Sequence, residues 1–146
     1  MIIEEITLDA VSVLTEMMVE MWPDVDPQEE YKNNVLLLSK HSETVFLAKV
    51  GLQYIGFAHI SIRRDYVEGT QSSPVGYLEG IYVRDGWRNQ GTASALLSSG
   101  EAWLKNKGIT EMGSDAEIDN SISQEWHTSR GFREVNRIVC FYKTIE

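Results

Sequence analysis

The stretch Tyr82-Val83-Arg84-Asp85-Gly86-Trp87-Arg88-Asn89-Gln90-Gly91-Thr92-Ala93 joins a β-rich run to an apolar-periodic one through a glycine-containing loop. A strand that feeds such a loop straight into a helix can bind an anion. The first backbone N–H groups of a helix lack intrahelical partners and the dipole is positive there, so a diphosphate fits without a metal. Gly91 and Ala93 keep that approach open, and Arg88 can add charge-assisted hydrogen bonds. Read alone, the pattern also fits a plain turn with a solvated Arg88, because short glycine patterns are weak signals. The loop lacks the lysine and second glycine of a nucleotide P-loop, and it lacks G-x-G-x-x-G, which sets ATP and NAD aside. Just upstream, a period of two in Gly76–Val83 predicts Tyr77, Glu79, Ile81 and Val83 on one face. A carboxylate thus sits among large apolar groups, and pairing with a basic neighbour such as Arg63 accounts for it as well as chemistry does.

The elements that must position these residues alternate between helix and strand. Ile2–Leu8 reads as a strand and Asp9 as the N-cap of a helix running to about Trp22, closed by Pro23. Asp26-Pro27-Gln28-Glu29 forms a reciprocal capping pattern for a second helix to about Ser39. Thr44–Val50 and Gln53–Arg63 flank Gly51-Leu52 as an antiparallel hairpin, and a polar loop spans Asp65–Pro74. Ala93, Leu96, Leu97, Gly100, Trp103 and Leu104 recur at helical spacing until Gly108. Ile109–Ser114 reads as a strand, Asn120–Arg130 as a helix, and Phe132–Tyr142 as one or two closing strands. The predicted order is β α α β β β α β α β, with room for one more β. It describes an α+β or α/β layer around a central sheet.

Length and charge bound the function. The chain has 146 residues and a formal net charge of −9, which fits a single domain over residues 1–146. The longest aliphatic run, Val35–Leu38, is far short of the roughly 20 apolar residues of a membrane span. Glu4, Glu5 and Asp9 stand where a secretory signal would be basic, so the expected location is the cytoplasm. One cysteine, Cys140, and three scattered histidines offer no disulfide and no zinc-ligand spacing, so no metal is expected. Cys140 reads as a small buried residue, and His41 and His59 as structural. A surface this acidic repels nucleic-acid phosphates and attracts cations, a polycationic small molecule among them.

Two motifs carry a family resemblance. Arg88-x-x-Gly91-x-Ala93 after a strand resembles the Q/R-x-x-G-x-G/A pyrophosphate loop of the GNAT acetyltransferases. Asn120-x-x-Ser123-x-x-x-His127-x-x-x-Gly131-Phe132 is similar to their N-x-x-A-x-x-x-Y-x-x-x-G-F element. The resemblance implies a GNAT-like fold, a central mixed, mostly antiparallel sheet flanked by about four helices. It also implies acetyl-CoA as cosubstrate, contacted by Ile81, Tyr82, Val83, Arg88, Asn89, Gln90, Gly91, Thr92, Ala93, Asn120 and His127. More narrowly, Trp22-Pro23, Ser61-Ile62-Arg63-x-Asp65-Tyr66-Val67-x-Gly69, Ser73-Pro74-Val75, Leu78–Val83 and Ser114-Asp115 look like the aminoglycoside 6'-N-acetyltransferases. That likeness implies acetylation of the 6'-amino group of aminoglycosides by a homodimer, and antibiotic resistance as the outcome.

On the same basis Glu79 and Asp115 border the acceptor cleft and bind the ammonium or take its proton. The backbone N–H of Val83 donates to the developing oxyanion, and Trp22, Tyr66, Glu79, Asp115 and Asn136 meet the substrate. The sequence departs from the family at two points. His127 replaces a tyrosine that can protonate the departing thiolate, which leaves His127 or Tyr142 as the acid. Asn136 stands where relatives often place a carboxylate. His127 also fits a histidine packed on Trp126 or Phe132, Asn120 an ordinary N-cap, and Trp22 and Tyr142 core aromatics. Transfer to another cationic amine, such as a polyamine, an amino acid or a protein N-terminus, fits the same residues, as does a coenzyme-binding sensor without turnover.

Overall fold

The computed structural model describes residues 1–146. β1 (Ile2–Glu5) leads through a 3-10 turn at Leu8–Ala10 into α1 (Val11–Met21), followed by α2 (Pro27–Leu37), β2 (Glu43–Val50), β3 (Gln53–Arg63), β4 (Val75–Val83), α3 (Thr92–Asn106), β5 (Met112–Ser114) and α4 (Ser121–Ser129). The five strands lie in chain order, antiparallel from β1 to β4, with β5 parallel to β4. This is the mixed, mostly antiparallel sheet with four helices that the family resemblance implies.

Strand alternation divides the core into two layers. Val45, Leu47 and Phe57 point to one face, where Leu14, Met17 and Met18 of α1 and Leu37 of α2 cover them. Ala48, Ile55, Ala58, Ile60 and Leu78 point to the other, under Leu96, Leu97 and Leu104 of α3. Each of these fully buried large side chains contributes about 1.5–3 kcal/mol relative to exposure.

Five sequence expectations are corrected. Asp9 is not an N-cap, because it lies inside the 3-10 turn that Ala10 N–H closes on Thr7 O at 3.0 Å. At α2 the cap works in one direction only, with Asp26 accepting from the Gln28 N–H at 3.0 Å. The face predicted for β4 is broken. The β3–β4 register shifts between His59 and Ile60, pairing Ile60 with Leu78 and His59 with Gly80, so Glu79 is the extra residue of a bulge. Beyond it the parity reverses: Tyr82 packs on Phe57 in the α1 layer, and Ile81 joins the α3 layer.

The closing strands expected over Phe132–Tyr142 do not form within the chain. From Phe132 onward the backbone is neither helix nor strand, so its N–H and C=O groups make no ladder with β5. Cys140, expected buried, is therefore exposed on this arm.

Candidate active site

The α1 and α2 side of the sheet carries a file of polar groups where β3, β4 and β5 meet. The bulge turns Glu79 toward β3, and it is fully engaged there. Its Oε1 accepts from Ser61 Oγ at 2.6 Å and from Arg63 Nε at 3.0 Å, and the Arg63 Nη2 reaches both carboxylate oxygens at 2.8 and 2.9 Å. The partner that sequence reasoning raised as an alternative to chemistry is therefore present. Arg63 in turn lies 3.4 Å above the Tyr77 ring, which fixes its plane.

Asp115, just past β5, is differently placed. Tyr77 Oη donates to its Oδ2 at 2.5 Å, and no cation is paired with it. Burial and the neighbouring Asp115 carboxylate push the Tyr77 phenol above its ordinary range, so it stays a donor at neutral pH. Asp115 is itself exposed, and its second oxygen has no hydrogen-bond partner.

Aromatic side chains flank these carboxylates. The Trp22 ring packs on Phe57 with centroids 6.3 Å apart and lies directly over Gly80, where a Cβ would stand 2.7 Å from the ring. Only glycine admits that contact. Tyr66, on the loop after β3, is 74% exposed and free to stack. Asn136 reaches this loop from the C-terminal arm, donating to Glu68 at 3.2 Å, while Val135 packs on Gly69.

A gap opens in the sheet beside this file. β4 and β5 pair only from Gly76–Met112 to Leu78–Ser114, after which β4 continues alone to Val83. Arg84 N–H bonds Ile55 O on the β3 side at 2.8 Å, so strand alternation turns the N–H and C=O groups of Ile81 and Val83 toward the gap. Arg88 Nε holds the Val83 carbonyl at 2.7 Å. Tyr82 faces away, its hydroxyl donating to Glu20 at 2.8 Å. Glu20 also binds Arg84, at 2.9 Å, and together they tie α1 to the end of β4, a clamp no local pattern announces.

At the far end of the gap, Gly86, Asn89 and Gly91 adopt left-handed φ values of +85°, +61° and +83°, which curl the loop into the start of α3. Gly91 is the N-cap of α3. No side chain caps the helix, its first turn holds no acidic residue, and nothing lies within 4 Å of a Cβ placed there. Thr92, Ala93 and Ser94 thus offer unpartnered N–H groups to a phosphate, and Arg88, Asn89 and Gln90 border the approach. These features fit a long ligand with a diphosphate at one end and an amide-bearing arm along Ile81 and Val83.

On the α3 side, His127 of α4 packs edge-on against Trp126 and Phe132, at 5.0 and 5.1 Å. Its ring also reaches Ser114, with Nε2 2.7 Å from the hydroxyl. Asn120 is an N-cap, accepting from Ser123 N–H at 3.1 Å. Tyr142 is not at the site: it is 89% exposed on the arm and bonded only to Thr144. Sequence reasoning missed the Tyr77–Asp115 and Ser114–His127 pairs, since each joins residues far apart in the chain. The only available signal was that Ser114 and Asp115 are adjacent.

The chain matches the family described as "Acetyltransferase (GNAT) family" over residues 9–132. It is 38% identical over 127 residues to an aminoglycoside N(6')-acetyltransferase type 1 of Serratia marcescens, covering 86% of each chain. It is 42% identical over 125 residues to the protein of that name from Acinetobacter genomosp. 13, again covering 86% of each. Among solved structures, AAC(6')-Iy in complex with the bisubstrate analogue CoA-S-monomethyl-acetylneamine has a TM-score of 0.95 at 33% identity, covering 99% of this chain and 98% of that one. The apo aminoglycoside 6'-N-acetyltransferase AAC(6')-IG from Acinetobacter haemolyticus has a TM-score of 0.94 at 36% identity, with both chains covered completely.

Proposed function

The chain belongs to the GNAT acetyltransferase family, and from that premise we infer that it transfers an acetyl group from acetyl-CoA to the 6'-amino group of aminoglycoside antibiotics. The observation that carries the reading is the meeting, at one gap in the sheet, of a bare helix start and a file of carboxylates. Acetyl-CoA supplies the activated acyl group. Gly91–Ser94, with Arg88, would hold its diphosphate, and the N–H groups of Ile81 and Val83 would receive its arm and the carbonyl oxygen as that oxygen gains charge. Transfer by direct attack needs no metal, and no helix of the chain is long and apolar enough to cross a membrane. This reading places the reaction in the cytoplasm.

An amine as basic as lysine, with a pKa of about 10.4, loses its proton at pH 7 at a cost of roughly 4–5 kcal/mol. Asp115 has an open oxygen and no cationic partner, which suits it to accept that proton directly or through one water. Glu79, held by Arg63 and Ser61, instead fixes the negative potential and the shape of the cleft. Trp22 and Tyr66 offer ring faces to the sugars, and Asn136 and Glu68 offer polar edges.

Mass spectrometry of kanamycin incubated with the protein and acetyl-CoA is expected to place one acetyl group on the 6'-nitrogen. Turnover of spermidine without kanamycin would instead assign another cationic amine, and tight coenzyme binding with no thiol release from any amine would assign a sensor.

The reading extends to a homodimer. Val135, Ile138, Val139, Phe141, Tyr142 and Ile145 are 50–93% exposed along the arm after α4. An extended apolar segment with unpaired backbone groups favours pairing with a second copy. Sedimentation of the full chain is expected to give twice the single-chain mass, and Val139→Asp with Phe141→Asp is expected to halve it.

A further inference from the structure

The loop Arg64–Pro74, which carries Tyr66, connects β3 to β4 and has no regular structure of its own. Its internal bonds are local. Thr70 N–H and Oγ1 donate to Val67 O at 3.1 and 2.7 Å, and Ser73 Oγ donates to Arg64 O at 3.0 Å. Apart from the Asn136–Glu68 bond to the arm, every hydrogen bond that leaves the loop ends on one side chain, Glu111, the residue before β5. Gln71 N–H donates to its Oε1 and Oε2 at 3.0 and 3.2 Å, and Ser72 Oγ donates to Oε1. The Ser72 hydroxyl first, and then the Gln71 N–H, hold this carboxyl below the usual carboxylate range, so it is charged at neutral pH. Hydrogen bonds to an ionised acceptor are roughly twice as strong as neutral ones.

A second fastening lies on β5 itself. Val67 is buried with Val75 and Tyr77, in a notch that exists because residue 113 is glycine: a Cβ there would stand 2.5 Å from Val67 Cγ1. The same Tyr77 ring that borders the notch, 3.2 Å from that Cβ position, carries the hydroxyl bonded to Asp115. Tyr66 directly precedes Val67, so the loop delivers it beside the strand that leads into Asp115. Val67 fixes a single point. Glu111 fixes the returning half of the loop, at Gln71 and Ser72, and two points on one short strand leave the loop no freedom to turn about Val67.

We propose that Glu111 is a positioning residue for amine recognition: by binding Gln71 and Ser72 it holds the loop on β5 and keeps the Tyr66 ring at the acceptor cleft. This deepens the acetyl-transfer reading above and rests on it. Glu111 acts through Tyr66 and touches no reacting atom. Its contribution is therefore to the affinity for the amine, equal before and during transfer, and not to the chemical step. The coenzyme end, on the far side of the gap, is left as it is.

The test combines kinetics with a readout that needs no acceptor. Glu111→Ala is expected to raise KM for kanamycin about 10-fold, with kcat and KM for acetyl-CoA within about twofold. Ser72→Ala removes one of the same bonds from the loop side and is expected to raise it about threefold, which keeps the question open to measurement should Glu111→Ala not fold. In a Tyr66→Ala background, adding Glu111→Ala is expected to change KM by no more than about twofold, because the ring that Glu111 positions is already gone. Separately, chymotrypsin is expected to cut the ligand-free chain after Tyr66 about 10-fold faster in Glu111→Ala, while cuts elsewhere keep their wild-type rates. A lower kcat at unchanged KM, an unchanged KM in Ser72→Ala, multiplying losses with Tyr66→Ala, or wild-type cleavage after Tyr66 in Glu111→Ala would each overturn the role. Absence of kanamycin turnover by the wild type would overturn the substrate assignment alone, and the cleavage rate would still decide whether Glu111 holds the loop.

Discussion

Asp115→Asn is expected to lower kcat for 6'-acetylation by about 100-fold, equivalent to about 2.7 kcal/mol of transition-state stabilisation, while acetyl-CoA affinity stays unchanged. The substitution is close to isosteric. The Asn oxygen still accepts from Tyr77 Oη, so the 2.5 Å contact and the position of Tyr77 survive. What disappears is the negative charge of the carboxylate, whose other oxygen has no hydrogen-bond partner. Glu79→Gln is the informative contrast, because it removes the charge that Arg63 and Ser61 bind and so disturbs the site's shape as well as its potential. Its loss is expected in KM for the amine as well as in kcat. Steady-state kinetics at saturating acetyl-CoA, with coenzyme affinity measured by calorimetry, separates the two. A Glu79→Gln variant that loses only kcat, beside an Asp115→Asn variant that loses only amine affinity, would reverse the roles.

Gly91→Asp is expected to weaken acetyl-CoA binding by about 100-fold or more while leaving the fold in place. Gly91 sits at φ +83° with open space where a Cβ would go, so the obstacle to a side chain is conformational and not steric. Left-handed backbone costs a non-glycine residue about 1–2 kcal/mol, and Asp tolerates it better than most. The melting temperature is therefore expected to fall by about 3–5 °C. The added carboxylate would stand where the diphosphate is received. A like charge about 6 Å away costs roughly 3 kcal/mol at an effective dielectric of about 20, which is about 100-fold in affinity. Isothermal titration beside thermal unfolding checks both halves. Normal coenzyme affinity in this variant would remove α3 from the coenzyme site.

The two predictions draw on different levels of organisation. The coenzyme end of the site was legible in the chain because its parts are consecutive. Strand, loop, Gly91 and the apolar period of α3 occupy one continuous stretch, and local backbone preferences are enough to shape it. The hairpin around Gly51-Leu52 and the Asn120 cap were legible for the same reason. The acceptor end was legible only in its residue types. Glu79 and Asp115 stood out, yet period-two reasoning placed Glu79 with Ile81, because a bulge depends on how β3 pairs with β4 and leaves no mark within β4 itself.

By itself, then, the order of residues determined the succession of helices and strands as far as α4, the anion-receiving turn before α3 and the acidity that draws a cationic ligand. Only the tertiary structure decided which carboxylate is bound and which is open, that Tyr77 serves Asp115 and that Ser114 meets His127. It also decided that the arm after α4 stays off the chain's own sheet. The reason is distance along the chain. A turn or a cap is settled by neighbours a few residues away. A hydrogen bond between strands depends on register, and one residue of slip turns a side chain to the opposite face.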